Sequence, residues 1–100
     1  MDLEIAAARC AEIGNVTRLS ILRLLVKAGR NGLSVGEIQR HLGIPGSTLS
    51  HHLQRLVQVA LISQRRASRM LYCEPQYQEI RELAEFLLAE CCSLENRQDG

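Results

Sequence analysis

Apolar residues along this chain recur at helical spacing, with two short interruptions. In residues 2–13, Leu3, Ala6, Ala7, Cys10 and Ile13 form one narrow stripe, and Gly14-Asn15 ends it. Asn15 has the chemistry of an N-cap for a second helix, Val16–Ala28, which stops at Gly29. Leu19, Leu22 and Val26, with Ile21, Leu24 and Leu25 beside them, give that helix a broad apolar face. Ser34 is followed three residues later by Glu37, the spacing of a capping box, and predicts a short helix to about residue 42. Gly43-Ile44-Pro45-Gly46 makes a tight connection, and Ser47 or Thr48 begins the next helix, with Leu49, Leu53, Leu56 and Val57 inward. Helix, short glycine-containing turn, helix is the helix-turn-helix pattern.

After Ala60 the period changes. Residues 61–66 and 69–74 read as two short strands around Ala67-Ser68, a hairpin carrying Arg65, Arg66 and Arg69. Pro75 then opens a last helix over residues 76–94, with Tyr77, Ile80, Leu83, Ala84, Leu87, Leu88, Cys91 and Leu94 on a wide stripe. A chain of 100 residues has little core left for that stripe once the helix-turn-helix is packed. The first helix has the same surplus. The economical arrangement is a homodimer in which the terminal helices (1–13 and 76–94) pack against their mates; the alternative is that they close a monomer's own core. The expected layout is one mainly α (α+β) domain over 1–100, with helix-turn-helix 34–60, hairpin 61–74 and a loose tail at 95–100.

The formal net charge of +1 conceals a segregation. Residues 14–73 hold nine basic side chains against the single acid Glu37, a net +8, whereas residues 1–13 sum to −2 and residues 74–100 to −5. A basic centre between acidic ends suits a polyanion partner. The three aromatics, with no Trp, exclude the stacking platforms of single-strand and RNA binders. Polar hydrogen-bonding residues crowd the first half of the helix after the turn, the part that enters a major groove, so double-stranded DNA is the expected partner. Ser47, Thr48, Ser50, His51, His52 and Arg55 are the candidates there, with His52 alternatively a neighbour in the helix packing. Arg65, Arg66 and Arg69 are candidates for backbone or minor-groove contact, and Arg18 is a further option. Nothing points to an enzyme: Ser50-His51-His52 has no acid beside it, and there is no phosphate-binding glycine loop. No run approaches the roughly 18 apolar residues of a membrane span, and the start of the chain has no basic n-region, so a cytoplasmic location is expected.

Four segments together resemble the ArsR/SmtB family of dimeric winged-helix repressors. They are Asn15-Val16-Thr17-Arg18-Leu19-Ser20-Ile21-Leu22, then Leu33-Ser34-Val35-Gly36-Glu37-Ile38, then Ser47-Thr48-Leu49-Ser50-His51-His52-Leu53-Gln54-Arg55-Leu56, and the wing, residues 60–72. The resemblance implies a winged helix-turn-helix with a two-stranded wing and dimerisation helices at both ends. It also implies an operator-binding repressor that a metal, metalloid or other thiophile releases from DNA. Two positions depart from the family: Ala60 and Ala67-Ser68 stand where many members have glycine, and alanine in a left-handed conformation costs about 1 kcal/mol.

The resemblance also frames the cysteines at 10, 73, 91 and 92. The family's thiolate box on the third helix is absent, since Gly32–Ile38 has no cysteine, and the last helix has no His for the family's zinc site. Thiols remain, and thiols favour soft species such as trivalent arsenic or antimony, so arsenite or antimonite is the expected inducer, with no cofactor required. Cys91-Cys92 resembles the cysteine pair of arsenic-responsive members. Adjacent helical residues point about 100° apart, so both grip one atom only where the last turn loosens. The third sulfur is Cys10 or Cys73, with Cys10 slightly favoured, or there is none. Two other readings stay open: a thiol redox or persulfide sensor on the same fold, and a constitutive dimeric interaction module.

Overall fold

A computed structural model describes residues 1–95. In chain order it contains α1 (Leu3–Ile13), α2 (Val16–Ala28), β1 (Leu33–Ser34), α3 (Val35–Leu42), α4 (Gly46–Gln58), β2 (Ile62–Ala67), β3 (Met70–Pro75) and α5 (Tyr77–Leu88). This is an α+β winged helix-turn-helix with a small sheet and flanking helices. Of the expected tail, residues 96–100 lie outside the described residues.

The helix starts follow from local side-chain chemistry. Asp2 and Asn15 accept from the backbone N–H of Ile5 and Arg18, capping α1 and α2. At α3 the box is reciprocal: Ser34 Oγ accepts from Glu37 N at 3.1 Å, and Ser34 N donates to Glu37 Oε1 at 2.8 Å. Those bonds from Ser34 hold the Glu37 carboxyl below its ordinary pKa. Gly43 ends α3 in the left-handed conformation, φ 67°, with its N–H on Gln39 O. That sharp reversal starts the connection to α4, which begins at Gly46 with Pro45 as its N-cap.

Ile21, Leu22 and Leu25 from α2, Ile38 from α3, Leu49, Leu53 and Leu56 from α4, and Leu61, Ile62 and Cys73 from the hairpin form one core. Two inward assignments shift. In α2 the buried residues are Ile21, Leu22 and Leu25, whereas Leu19 and Val26 are exposed. In α4 the inward row stops at Leu56, and Val57 is exposed. Arg9 of α1 is buried and donates through Nε to Val59 O at 2.8 Å, satisfying a carbonyl just past the end of α4.

The hairpin β2–β3 forms the expected two-stranded wing, and the short β1 adds a third strand to its sheet. The order is β1-β3-β2, all antiparallel, with Leu33 opposite Cys73 and Ser34 opposite Tyr72. Gly32 makes this edge pairing feasible: a Cβ there would sit 2.2 Å from Cys73 O. Pro75 does not open the last helix; it closes β3 opposite Ile62, and Gln76 takes the N-cap position of α5.

The last helix is also shorter than its apolar stripe. It ends at Leu88, and residues 89–95 form successive tight turns in which Cys91, Ser93 and Glu95 each donate to the carbonyl three residues back. Leu87, Leu88 and Leu94 are 64%, 71% and 81% exposed, so within one chain this stretch buries too little apolar surface to hold its final turns.

Both departures at glycine positions of the family have a conformational result. Ala60 adopts φ 62° and Ser68 φ 60°, so the left-handed corners persist without glycine. Ala60→Gly is expected to stabilise the fold by about 1 kcal/mol, measured by urea unfolding; no rise in the midpoint would count against strain at this corner.

Candidate nucleic-acid interface and thiol pair

The first half of α4 presents Ser47, Thr48, Ser50 and His51 to solvent, with Gln54 a turn further on. The opposite row of Leu49, Leu53 and Leu56 is in the core, so helical spacing alone orients these polar side chains outward. A groove of about 610 Å³ runs between α4 and the wing, lined by Ser50, Gln54, Gln64, Arg69 and Met70 among others. Neither glutamine is among the expected site residues, although helical spacing places Gln54 on the outward face with Ser50; Gln64 carries no signal.

Two recognition-helix candidates are held by other elements. Arg55 donates from Nε and Nη2 to the two carboxylate oxygens of Glu12, on α1, at 3.0 and 3.1 Å. Glu12 also receives Arg18 of α2, whose Nε donates to its backbone carbonyl at 2.7 Å and lies 3.3 Å from its carboxylate. Arg18 Nη1 in turn donates to His52 Nδ1 at 3.1 Å. The cluster ties three helices together, with the Glu12 and Arg18 side chains only 13% and 11% exposed and Arg55 at its wetter edge, 42% exposed. His52 is half-buried; burial first, then Arg18, His51 and Arg55, push its pKa below the ordinary imidazole value. Glu12 had not been marked, although it is the only acid between residues 5 and 36.

The three wing arginines also separate. Arg65 is paired with Glu74, reaches Asn31 O at 3.4 Å and lies over the Tyr72 ring at 4.8 Å. Arg66 and Arg69 are exposed and have no hydrogen bond or ion pair among the described residues, which leaves their guanidinium groups available to an external anion.

The cysteines occupy three environments. Cys73 is fully buried in β3, where Gln64 Nε2 donates to its sulfur at 3.5 Å and burial pushes its thiol pKa up. Cys10 is half-buried on α1. Cys91 and Cys92 are exposed in the turns after α5, with their sulfurs 3.3 Å apart. Cys92 is at φ 66°, and hydrogen bonds with Cys91 and then Glu95 hold its thiol above the ordinary pKa. At bond lengths of about 2.3 Å, sulfurs at this separation reach one atom at nearly a right angle, which suits a pyramidal three-coordinate metalloid. Neither Cys10 nor Cys73 joins them: among the described residues, no three Cys, His, Asp or Glu side chains come together to hold a metal ion.

The polar row of α4 faces outward beside a basic wing, over a core that both share, which is the arrangement of a winged helix-turn-helix DNA-binding domain. A helix-turn-helix domain family model matches residues 13–65, and the chain belongs to the winged helix-turn-helix regulators of the ArsR/SmtB-like superfamily. It is 38% identical over 71 residues to the nodulation protein NolR of Rhizobium meliloti, a match spanning 71% of this chain and 56% of that protein. It is 43% identical over 70 residues to the HTH-type transcriptional regulator YgaV of Escherichia coli strain K12, covering 69% of each. Among solved structures it is similar to the homodimeric winged helix-turn-helix DNA-binding domain Mb0332 of Mycobacterium bovis, described as a possible ArsR-family transcriptional regulator. The TM-score there is 0.71, with 26% identity over 93% of this chain and 84% of that one. Among the described residues, no helix is long and apolar enough to cross a membrane.

Proposed function

We propose that this protein is a cytoplasmic repressor that binds double-stranded operator DNA as a homodimer and leaves it when Cys91 and Cys92 capture trivalent arsenic or antimony. The observation that carries the release step is the pair of solvent-exposed sulfurs 3.3 Å apart immediately after α5. The exposed apolar side chains Leu3, Ile5, Leu87 and Leu88 supply a dimer surface, in line with the homodimer of the Mycobacterium bovis relative. Capture exchanges two arsenic–oxygen bonds of arsenite for two arsenic–sulfur bonds; the two thiol protons leave with the oxygens as water. The third sulfur is Cys10, reached by rearrangement of α1 against the turns after α5 or across the dimer; it replaces the remaining arsenic–oxygen bond, and its proton leaves with that oxygen as a third water. Ligation there reshapes the segment at the dimer helices, and the two recognition helices lose their match to half-site spacing. A coupling of about 1–3 kcal/mol suffices to lower operator occupancy.

The double substitution Cys91→Ser, Cys92→Ser is expected to leave DNA binding intact and abolish arsenite-induced release, read by fluorescence anisotropy of a labelled duplex. Release that persists at wild-type arsenite concentrations would remove the site assignment. The same exposed pair supports a second reading, a redox or persulfide sensor. A disulfide between adjacent residues joins Cα atoms only about 3.8 Å apart, closer than usual for the bond, so it would be strained and readily reduced; its formation passes two protons and two electrons to an oxidant such as a peroxide. Intact-protein mass spectra after arsenite, peroxide and persulfide treatment separate the two.

A further inference from the structure

One side chain on the recognition helix has its protonation pattern set from outside that helix. Arg18 Nη1 lies 3.1 Å from His52 Nδ1. A guanidinium has only donors and stays charged in proteins, so Nδ1 must supply the lone pair. In a neutral imidazole the proton is then on Nε2. Arg18 is not at liberty to turn away, because its Nε is committed to the Glu12 carbonyl at 2.7 Å. His52 Nε2 is not sealed in either: among the described residues, the one buried side-chain nitrogen or oxygen without a partner is Glu79 Oε2.

The surroundings oppose a second proton. Arg18 from α2 faces Nδ1, His51 and Arg55 flank it on α4, and the nearby acid, Glu12 of α1, is already shared by Arg18 and Arg55. Protonating Nδ1 would break the Arg18 hydrogen bond and place two cations in contact.

We propose that Arg18 is a positioning residue that locks His52 as a neutral, obligate Nε2–H donor on the recognition helix, matched to an acceptor on DNA, either a phosphate oxygen or a base-edge oxygen or nitrogen. The proposal rests on the DNA-binding reading above and deepens it. It sets His52 apart from an ordinary surface histidine, which would gain charge and DNA affinity on acidification. His52 instead loses its Arg18 bond as the pH falls.

Two measurements test it. In the free protein, nitrogen-15 spectra of the histidine rings near pH 7.5 are expected to show Nε2 protonated and Nδ1 bare at His52; a protonated Nδ1 overturns the assignment. The second uses a duplex the protein itself selects from a random pool. His52→Gln, whose amide N–H reaches the position of Nε2, is expected to bind within about threefold of wild type, and His52→Asn, whose amide sits near Nδ1, to bind roughly tenfold or more weakly. Equal behaviour of the two variants overturns the proposal. A loss confined to the selected duplex marks a base-edge acceptor, and an equal loss on a scrambled duplex marks phosphate; both support the donor role. Failure of the wild-type protein to select any duplex overturns the DNA match and the repressor reading together, while the ring spectra still report on the Arg18 lock separately.

Discussion

Glu12→Gln is expected to destabilise the protein by about 2 kcal/mol, lowering the thermal midpoint by roughly 10 °C. The substitution keeps the side chain's shape and removes its charge. In the native cluster one carboxylate accepts two hydrogen bonds from Arg55 and lies 3.3 Å from Arg18 Nε. A glutamine offers one acceptor oxygen and turns donor hydrogens towards a guanidinium, leaving the largely buried Arg18 cation without its counter-charge and close to Arg55. The estimate stays at the low end for a broken buried pair because the Arg55 side chain is 42% exposed and water screens part of that interaction. Urea titrations at fixed protein concentration give the value, since the proposed dimer would make the midpoint concentration-dependent. A loss under about 0.5 kcal/mol would show that the cluster contributes orientation without stability. DNA affinity should also fall, because Arg18 and Arg55 connect α1 and α2 to the recognition helix.

Removing the two unpaired wing cations has the larger effect on binding. Arg66→Ala with Arg69→Ala is expected to weaken DNA binding by the dimer on the order of a hundredfold near physiological salt, similarly on specific and unrelated duplexes. If each arginine neutralises one phosphate, the slope of log K against log salt falls in magnitude by about 0.9 per contact, hence by nearly 4 for both protomers. Arg65→Ala is the internal control. Its guanidinium is already engaged by Glu74 and Tyr72, so the slope should change little. Binding isotherms across a salt series measure both, and an unchanged slope in the double variant would place the wing off the DNA.

How far the sequence revealed this structure depends on the range of each interaction. The limits of α2 and the capping box of α3 could be read directly, because Asn15, Gly29, Ser34 and Glu37 act on backbone groups within a few residues. The outward row of α4 followed from helical spacing. β1 did not, since two residues, Leu33 and Ser34, are too few for an alternation to be seen. The Glu12–Arg55 and Arg18–His52 contacts join positions 43 and 34 residues apart, so composition reveals the charges and not their pairing. The last helix failed in the other direction: the apolar stripe continues to Leu94, but one chain alone offers that stretch nothing to pack on. For the thiol pair, adjacency in sequence was visible, while the separation of its sulfurs depended on the turns that replace the helix.

Ser34 belongs to two elements at once. It pairs with Tyr72 at the edge of the sheet, and its side chain and N–H form the cap of α3. The wing therefore cannot swing relative to the helix-turn-helix without uncapping α3 and pulling apart the edge of the sheet. Each protomer carries its recognition helix and wing as a single stiff reading head. For the proposed homodimer and its thiol site after α5, a signal there would have no inexpensive way to deform one half of that head, so the economical response would be to change the distance or tilt between the two heads as whole bodies.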